Sequence, residues 1–421
     1  MSPEPSWPRQ REVAVIGAGI VGICCACFLQ REGFSVCVID RQGPGEATSY
    51  GNAGGFATGE IIPLSVPGML RDLPRWLLDP LGPLAVRWTY LPYAMPWLLR
   101  FLREGSEPRV RTLAGALAAL SQAARPPLEQ LLAAAALDDL LTRQDCLYLY
   151  ESEQQLVAER LFWDLRREHG IPFERVAGPA LPDLEPDLAR DFAFGIRMPG
   201  WHHVTNPYRL VTGLAEQFVR AGGRVLRAEV VSIDRRDRRA QSLRLASGAV
   251  HAFDELVIAA GAWSNVLARQ LGEAVPLESH RGYHVTLPNP GIRPKRLVLH
   301  AGDHFVVTPM EMGVRVAGTV EIAGLEAPPN YARARILVRK AKRIYPALDD
   351  AGGIEWMGHR PATPDSLPVI GRATAVGNVS YAFGHGHLGL TFGPITGRLV
   401  AELAAGKPPS LDLGPYRADR F

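Results

Sequence analysis

The sequence predicts an α/β fold, α+β overall, with one domain built on a mainly parallel sheet and another on an antiparallel sheet. Three observations predict this fold. The chain has 421 residues, enough for two domains, and its 47% apolar and 21% charged content is typical of a globular protein. Residues 12–40 read as a strand, a glycine-rich turn, a helix and a second strand. Short apolar runs separated by turns fill residues 282–321.

The N-terminal unit has the features of a dinucleotide-binding site. Residues 13–16 form an apolar run, as expected for a buried parallel strand, and the next six residues match GxGxxG. Gly17 allows the tight turn, Gly19 lets backbone amides approach a pyrophosphate, and Gly22 lets the helix pack on the strand. The second strand ends at Asp40, 18 residues after Gly22. That is close to the usual distance for a carboxylate that binds ribose hydroxyls.

A second match to GxGxxG lies near the C-terminus, at residues 384–389, after a strand-like run and before a helical stretch. It has two interpretations. As a nicotinamide site it lacks a following strand that ends in an acid, since the residue 18 positions further on is Lys407. The favoured interpretation is a turn that directs backbone N–H groups and a positive helix end at a flavin, whose N1–O2 region gains negative charge on reduction.

Charge, cysteines and hydropathy restrict the possible partners and compartment. A net charge of +3 gives no general attraction to nucleic acid. Five cysteines, four of them within residues 24–37, do not form a disulfide framework and favour a reducing compartment. Residues 13–29 are uncharged, but their glycines and the strand that follows argue against a membrane anchor. We therefore expect a cytoplasmic protein that does not span a membrane.

Four segments together resemble the bacterial D-amino-acid dehydrogenases, which are FAD enzymes of the D-amino-acid oxidase and glycine oxidase superfamily. The segments are VIGAGIVG (15–22), ATSYGNAGG (47–55), GHRPATPD (358–365) and GHGHLGLTFGP (384–394). The resemblance extends over essentially the whole chain. It implies a Rossmann-type FAD-binding domain, assembled from residues 1–60, 200–268 and 356–421, with an inserted antiparallel-sheet substrate domain, residues 61–199 and 269–355.

Local patterns add detail to both domains. In the middle FAD-binding piece, Thr205 or Asn206 is predicted to cap a helix with Pro207 in its first turn, followed by strands at 225–233 and 256–260. In the substrate domain, roughly alternating runs predict an antiparallel meander, and a helix is expected from about 331 to 344. The runs are residues 282–287, 297–299, 304–308 and 314–321.

The glycine patterns and the resemblance together predict the cofactor site. FAD is expected to be bound non-covalently, because no histidine precedes His169 and no cysteine follows Cys146. The resemblance places backbone near Val230 against the adenine. No metal is expected, since the paired histidines lack an evident third ligand. The predicted cofactor-binding residues are Gly17, Gly19, Ile20, Val21, Gly22, Asp40, Arg41, Thr48, Ser49, Asn52, Ala53, Gly54, Gly55, Val230, Gly261, Trp263, Gly384, His385, Gly386, His387, Leu388, Gly389, Leu390 and Thr391.

Three residues are candidates for the catalytic site. The resemblance implies that Arg360 binds the substrate carboxylate, for which a planar guanidinium is well suited. The Tyr283 hydroxyl is a second candidate for that carboxylate, with a core tyrosine as the alternative, and Arg281 could instead supply a second charge. His387 is expected to contact the flavin, and an acid–base role for it stays open.

The resemblance implies oxidative deamination of a D-amino acid by hydride transfer from Cα to FAD. Candidate substrates are D-proline or 4-hydroxy-D-proline and D-alanine-like amino acids. Two alternatives stay open. One is a glycine or N-methyl-amino-acid oxidase that uses oxygen, and the other is a non-catalytic flavoprotein subunit.

Residues 61–105 bear on the electron acceptor. The segment holds seven prolines, three tryptophans and a local net charge of +2. Short apolar pieces with Trp, Tyr and Arg suit contact with a membrane surface. By the resemblance, this segment docks on the cytoplasmic face of the inner membrane and electrons pass to a quinone or another respiratory-chain acceptor. The alternative is that it covers the substrate site or fills a domain boundary.

Overall fold

The computed structural model describes residues 10–69, 82 and 84–421. The strands are β1 (Glu12–Ile16), β2 (Ser35–Asp40), β3 (Gly55–Phe56), β4 (Leu84–Val86), β5 (Leu141–Thr142), β6 (Cys146–Tyr150), β7 (Glu174–Ala177), β8 (Phe194–Met198), β9 (His202–Val204), β10 (Arg224–Arg227), β11 (Val230–Arg236), β12 (Arg239–Leu245), β13 (Val250–Ala252), β14 (Glu255–Ile258), β15 (Glu278–Leu287), β16 (Val298–His300), β17 (Phe305–Met310), β18 (Gly313–Ile322), β19 (Ile354–Ala362), β20 (Val369–Arg372) and β21 (Val379–Phe383). The α-helices are α1 (Ile20–Arg31), α2 (Leu91–Arg103), α3 (Glu107–Ala123), α4 (Arg125–Ala135), α5 (Glu153–Ala158), α6 (Arg160–Glu168), α7 (Leu181–Leu184), α8 (Pro207–Arg220), α9 (Ser264–Gln270), α10 (Ala332–Ile344) and α11 (Gly389–Ala404).

A six-stranded sheet carries the predicted dinucleotide unit. Its strand order is β10-β2-β1-β14-β21-β20, and all neighbours are parallel except β20 and β21. Alternate residues of β1 enter different cores: Val13 and Val15 pack under α1 and α11, whereas Ala14 and Ile16 pack on the opposite face. Burial on both faces explains why β1 is a short, continuous apolar run.

Helix α8 begins and ends as the sequence predicts. Asn206 is the N-cap, and its side chain accepts a hydrogen bond from the backbone N–H of Arg209 at 3.0 Å. Pro207 occupies the first helical position, where its missing N–H costs nothing. The apolar stripe at Leu210, Leu214 and Phe218 is buried.

The single strand predicted at 225–233 is wrong. The chain forms β10, which is the edge of the six-stranded sheet, and then enters β11 of a separate antiparallel sheet ordered β11-β12-β13. This small sheet covers the second face of the large one through Ile233, Leu243 and Leu245. A continuous run of β-forming residues does not show where a strand changes sheets.

The second large sheet has nine strands, ordered β19-β15-β18-β17-β16-β6-β8-β7, with β4 paired to β18. Strands β16, β17 and β18 form the predicted antiparallel meander, but β15 lies beside β18 and β19 rather than beside β16. Strand β15 begins at Glu278, four residues before the predicted start, and is buried along its whole length instead of alternating. Helix α10 covers one face of this sheet, so both faces of the strand are enclosed.

Strand β19 joins the two parts of the molecule. It pairs with β15 over residues 278–286, so the domain boundary predicted at residue 356 falls inside a strand of the nine-stranded sheet. After β19 the chain continues into β20 and β21 of the six-stranded sheet. The residues next to Arg360 therefore connect the two sheets directly.

The apolar segment 61–105 is described only in part, because the prediction also covers residues 70–81 and 83, which lie outside the described residues. Helix α2 belongs to this segment and packs on the ends of β18 and β19 through Ala94, Trp97 and Phe101. No helix in the described part of the chain is long and apolar enough to cross a bilayer.

Candidate flavin and substrate site

A cleft of about 1320 Å³ opens at the carboxyl ends of β1, β2 and β14. Ligands of open α/β sheets bind at this edge. The cleft is lined by most of the predicted cofactor residues: Gly17, Gly19, Ile20, Val21, Asp40, Arg41, Thr48, Ser49, Asn52, Val230, Gly261, Trp263, His385, Gly386, Gly389 and Leu390.

The first glycine turn is shaped by contacts that a side chain would block. Gly17 has φ +113°, and a Cβ there would lie 2.3 Å from the Ala259 carbonyl oxygen. A Cβ on Gly22 would lie 1.9 Å from the Gly17 carbonyl oxygen, so Gly22 packs the helix on the turn and does not line the cleft. These roles are those the sequence pattern assigns to the first and third glycines.

The start of α1 is suited to an anion. Gly19 is its N-cap, and the first turn carries no acidic residue. The Ser49 hydroxyl accepts a hydrogen bond from the Ile20 N–H at 3.0 Å. Asp40 accepts from the Ala18 N–H at 2.7 Å, which holds the carboxylate at the cleft beside the turn. A positive helix end next to a carboxylate fits the pyrophosphate and ribose of a dinucleotide.

An aromatic and cationic wall closes one side of the cleft. The Arg41 guanidinium lies 4.4 Å from the centre of a Trp263 ring, and the His359 ring meets Trp263 edge-on at 5.3 Å. The Thr48 hydroxyl donates to the His359 carbonyl at 2.8 Å. Burial lowers the pKa of His359 to about 4, so its ring is neutral at pH 7. His359 was not among the predicted residues, although the segment 358–365 contains it.

The C-terminal turn lies against the same cleft. Gly384 and Gly386 both have positive φ, at +81° and +54°, and the Gly386 N–H donates to the Pro361 carbonyl at 2.8 Å. His385 Nε2 lies 2.9 Å from the Thr396 hydroxyl, and burial lowers the pKa of His385 to about 3. Helix α11 packs closely on α1 because Gly397 has no side chain. A Cβ there would lie 2.6 Å from the Cys24 backbone.

Seven further predicted cofactor residues, besides Gly22, do not line the main cleft. Gly384, His387 and Leu388 line a much smaller cavity, which also reaches His385 and Gly386. The other residues support the site from behind. Thr391 accepts from the Ala57 N–H at 3.0 Å, and Ala53, Gly54 and Gly55 lie in or before β3.

Arg360 lies on β19 at the junction of the two sheets. Its Nη1 donates to the Thr319 carbonyl at 3.1 Å, and no carboxylate of the described residues lies within ion-pair distance of it. Burial lowers the pKa of its guanidinium to about 10, so the side chain stays charged at pH 7. An enclosed, unpaired guanidinium is suited to receive the carboxylate of a ligand.

His387 and Glu60 lie near Arg360. Desolvation of the ring lowers the pKa of His387, Arg360 lowers it further, and Glu60 acts in the opposite direction. Residue 387 is nevertheless exposed at the protein surface. Glu60 accepts from the Tyr148 hydroxyl at 3.3 Å and lies 3.5 Å from Arg166. The structure therefore brings a cation, a neutral imidazole and a carboxylate together. Glu60 was not predicted, since no motif distinguishes it from other acids.

The structure does not bring Tyr283, the second candidate for the substrate carboxylate, together with Arg360. Arg360 pairs across the strands with His280, and Tyr283 is three residues further along β15, so its side chain projects from the opposite face. There the Tyr283 hydroxyl donates to Glu321 at 2.5 Å and accepts from the Asn330 N–H at 3.0 Å. The alternative of a core tyrosine is the one that the structure supports.

Arg281 lies on the same far face as Tyr283. Its guanidinium pairs with Glu321 at 3.3 Å and donates to the Ala327 carbonyl. The structure therefore gives Arg281 protein partners of its own and does not bring it together with Arg360.

The face of β15 that Arg360 shares carries His280 and His284, which the sequence reasoning missed. Both are buried, and burial lowers the pKa of each to about 3, with Arg360 contributing in both cases. His284 Nδ1 lies 3.0 Å from the Gly51 carbonyl, which joins β15 to the loop that lines the cleft. The available signal was their spacing: His280, Gly282 and His284 alternate and so share one face.

Comparison with known proteins identifies the family. Residues 12–403 match the family model described as DAO, FAD dependent oxidoreductase. A D-amino-acid oxidase of Bradyrhizobium diazoefficiens is 39% identical, covering 98% of this chain and 100% of its own. A D-amino acid dehydrogenase of Xylella fastidiosa is 33% identical, covering 94% and 92%.

A solved structure shares the fold at lower sequence identity. Glycine oxidase from Geobacillus kaustophilus has a TM-score of 0.72 at 22% identity, covering 98% of this chain and all of its own. The glycine cradle, the helix end and the acid at Asp40 fit FAD as the cofactor. The chain therefore belongs to the DAO family of FAD-dependent oxidoreductases.

Proposed function

We propose that this protein oxidises a D-amino acid at Cα and passes the electrons to a membrane quinone or another acceptor than oxygen. The observation that carries the proposal is Arg360, an enclosed cation without a carboxylate partner among the described residues, at the junction beside the cleft. The names of the curated relatives support D-amino acids as the substrate class.

The reaction requires three tasks, of which FAD performs one and residues of this chain can perform the other two. When bound, FAD supplies the acceptor for the hydride that leaves Cα. Arg360 fixes the substrate carboxylate, which orients Cα and lowers the entropic cost of reaction. His387 has a lowered pKa and is neutral at pH 7, so it can accept the proton that a substrate ammonium must lose. The same task would suit a cyclic secondary amine, so D-proline or 4-hydroxy-D-proline and D-alanine-like substrates are both proposed.

The exposed face of α2 supports a membrane-bound acceptor. Tyr93 is 76% exposed and Leu99 51% exposed, and Trp88 just before the helix is 61% exposed. Arg100 and Arg103 lie in the last turn. Apolar and aromatic side chains beside basic ones are what an interfacial helix presents to anionic lipid. We propose that this face docks peripherally on the inner membrane.

One assay tests the acceptor. The flavin-loaded enzyme is given a D-amino acid under air, with and without a soluble quinone analogue, and peroxide and quinol are both measured. We expect quinol formation to dominate and peroxide to stay far below the 2-oxo acid formed. Peroxide equal to the product, together with no response to the quinone, would contradict the proposal.

Oxygen is the acceptor in the second candidate function, an amino-acid oxidase. The observation in its favour is the printed name of the Bradyrhizobium relative, a D-amino-acid oxidase at 39% identity. The peroxide yield in the same assay separates the two functions, because only an oxidase forms peroxide in proportion to product.

A further inference from the structure

The side chain of Arg360 lies over a gap in β15. A Cβ built on Gly282 would lie 2.3 Å from Arg360 Cζ and 2.4 Å from Nη2, closer than atoms can approach. Gly282 has no positive φ that would itself require glycine. The missing side chain thus leaves space for the guanidinium. This space, and not the backbone conformation, explains why residue 282 is a glycine.

The residues on either side of Gly282 complete a trough. His280 and His284 are its neighbours on the same face of β15, and the charge of Arg360 lowers the pKa of both. The guanidinium therefore lies within electrostatic reach of both rings. Because both rings are neutral at pH 7, neither adds a positive charge beside the guanidinium or forms an ion pair with it.

A bulge in β18 supplies the fixed acceptor at the end of the trough. Gly318 pairs with Tyr283 and Glu321 with Arg281, so two residues of β18 face the single Gly282. Thr319, one of the two, has φ +57°, which is unfavourable for a β-branched residue. Its carbonyl accepts from Arg360 Nη1 at 3.1 Å. Backbone strain of this kind persists where the surroundings enforce it, often at ligand sites.

We propose that Gly282 and the Thr319 bulge are positioning elements, which hold the Arg360 guanidinium flat on β15 so that its free edge meets a substrate carboxylate. The inference rests on the proposed function of Arg360. It assigns a role to Gly282, which lies between Arg281 and Tyr283. The sequence pattern singled out those two neighbours and not the glycine.

The test compares Gly282→Ala with Gly377→Ala, a matched control at an exposed glycine with nothing within 4 Å of its added Cβ. Propionate, a carboxylate that cannot be oxidised at an amine-bearing Cα, is titrated against the flavin absorbance of each holoenzyme, with propionamide as the uncharged probe. We expect Gly282→Ala to weaken propionate binding at least tenfold, with propionamide binding and the melting temperature close to those of the control. Wild-type propionate affinity in Gly282→Ala would overturn the proposal.

Two further variants separate the possible failures. In Arg360→Ala, unchanged propionate affinity would contradict the proposed function itself, whereas a loss there with none in Gly282→Ala contradicts only the positioning role. If Gly282→Ala does not fold, the double variant Gly282→Ala/Arg360→Ala should recover a folded protein with a melting temperature near that of Arg360→Ala, because the clashing group is gone. Failure of that rescue would overturn the proposal.

Discussion

Enclosing a guanidinium without a carboxylate partner costs free energy, and the protein holds Arg360 in that state. The cost is offset when a ligand carboxylate arrives and forms two parallel hydrogen bonds with the planar group. Thr319 supplies only a neutral carbonyl, so the charge stays available. At the residue scale, this arrangement supports the proposal that Arg360 binds the substrate carboxylate.

Replacing Arg360 with alanine should raise KM strongly and lower kcat/KM about a hundredfold or more, roughly 3 kcal/mol at about 1.4 kcal/mol per decade. The carboxylate would lose the cation that is proposed to bind it. Steady-state kinetics with the preferred D-amino acid measure the change. Arg339→Ala, an exposed arginine on α10, serves as the control and should behave like the wild type.

His387 should determine part of the pH dependence. Its pKa is lowered, chiefly by desolvation of the ring, so the neutral form that can accept a proton prevails through the neutral range. His387→Gln keeps a polar side chain but cannot take the proton. We expect kcat of the variant to fall about tenfold to a hundredfold, with a changed acidic limb in its pH profile and a smaller change in KM. An unaltered pH profile would mean that His387 contacts the flavin but does not accept the proton.

At the element scale, α2 combines an outward apolar face with an inward contact to the site. Trp97 donates its indole N–H to the Ala362 carbonyl at 3.2 Å and packs edge-on against His280 at 4.9 Å. Residue 362 ends the strand that carries Arg360. The helix proposed to touch the membrane is therefore anchored on the strands that carry the proposed substrate site.

The exposed face of α2 gives a separate prediction. Tyr93→Ser with Leu99→Ser should reduce binding to phosphatidylcholine–phosphatidylglycerol vesicles at least tenfold, because each buried apolar side chain contributes roughly 1.5–3 kcal/mol. Co-sedimentation with vesicles measures the bound fraction. The control is Val157→Ser with Val250→Ser, two exposed apolar residues far along the chain from α2. Equal binding by both double variants would exclude α2 as the contact.

Element-scale prediction from sequence succeeded where the signal is local. The GxGxxG turn, the Asn206 cap and the stop of α10 each depend on neighbouring residues. It failed where tertiary pairing decides. Because β15 is buried on both faces, its residues show no alternation from which the face of Tyr283 could be read. The move of the chain from β10 into another sheet depends on the core that receives β11.

At the scale of the whole molecule, several buried histidines make stability depend on pH. The pKa of His280, His284 and His385 is about 3 in the folded protein, because burial disfavours the charged ring. An unfolded histidine has a pKa of about 6.5. Below that value the unfolded chain binds protons that the native protein does not, so the free energy of unfolding falls as pH falls toward about 3.

His280→Gln should therefore reduce this pH dependence. Each such histidine contributes up to about 1.4 kcal/mol per pH unit between roughly pH 6.5 and its folded pKa. Denaturant midpoints of the flavin-loaded enzyme at several pH values from neutral to mildly acidic measure the slope. The slope should be shallower for His280→Gln than for the wild type. Identical slopes in the two proteins would contradict the expected neutral state of His280.

The sequence predicted individual residues of the candidate site better than it predicted how they come together in space. The sequence placed Asp40, the two glycine turns and Arg360 through motifs, and the structure brings them around one cleft and its junction. Glu60 lies in none of the motif segments, and His359 lies in the segment 358–365 without being distinguished there, because its contacts depend on how β19 joins the two sheets. Whole-molecule geometry, which no local pattern encodes, sets these contacts.

Anaerobic titration of the bound flavin with paired D- and L-amino acids, including cyclic ones, tests the central claim most directly. The account predicts that at least one D-amino acid bleaches the flavin, that its L enantiomer does not, and that Arg360→Ala needs at least a hundredfold higher concentration for the same bleaching. The account is contradicted if no amino acid bleaches the flavin, if both enantiomers do so equally, or if Arg360→Ala responds like the wild type.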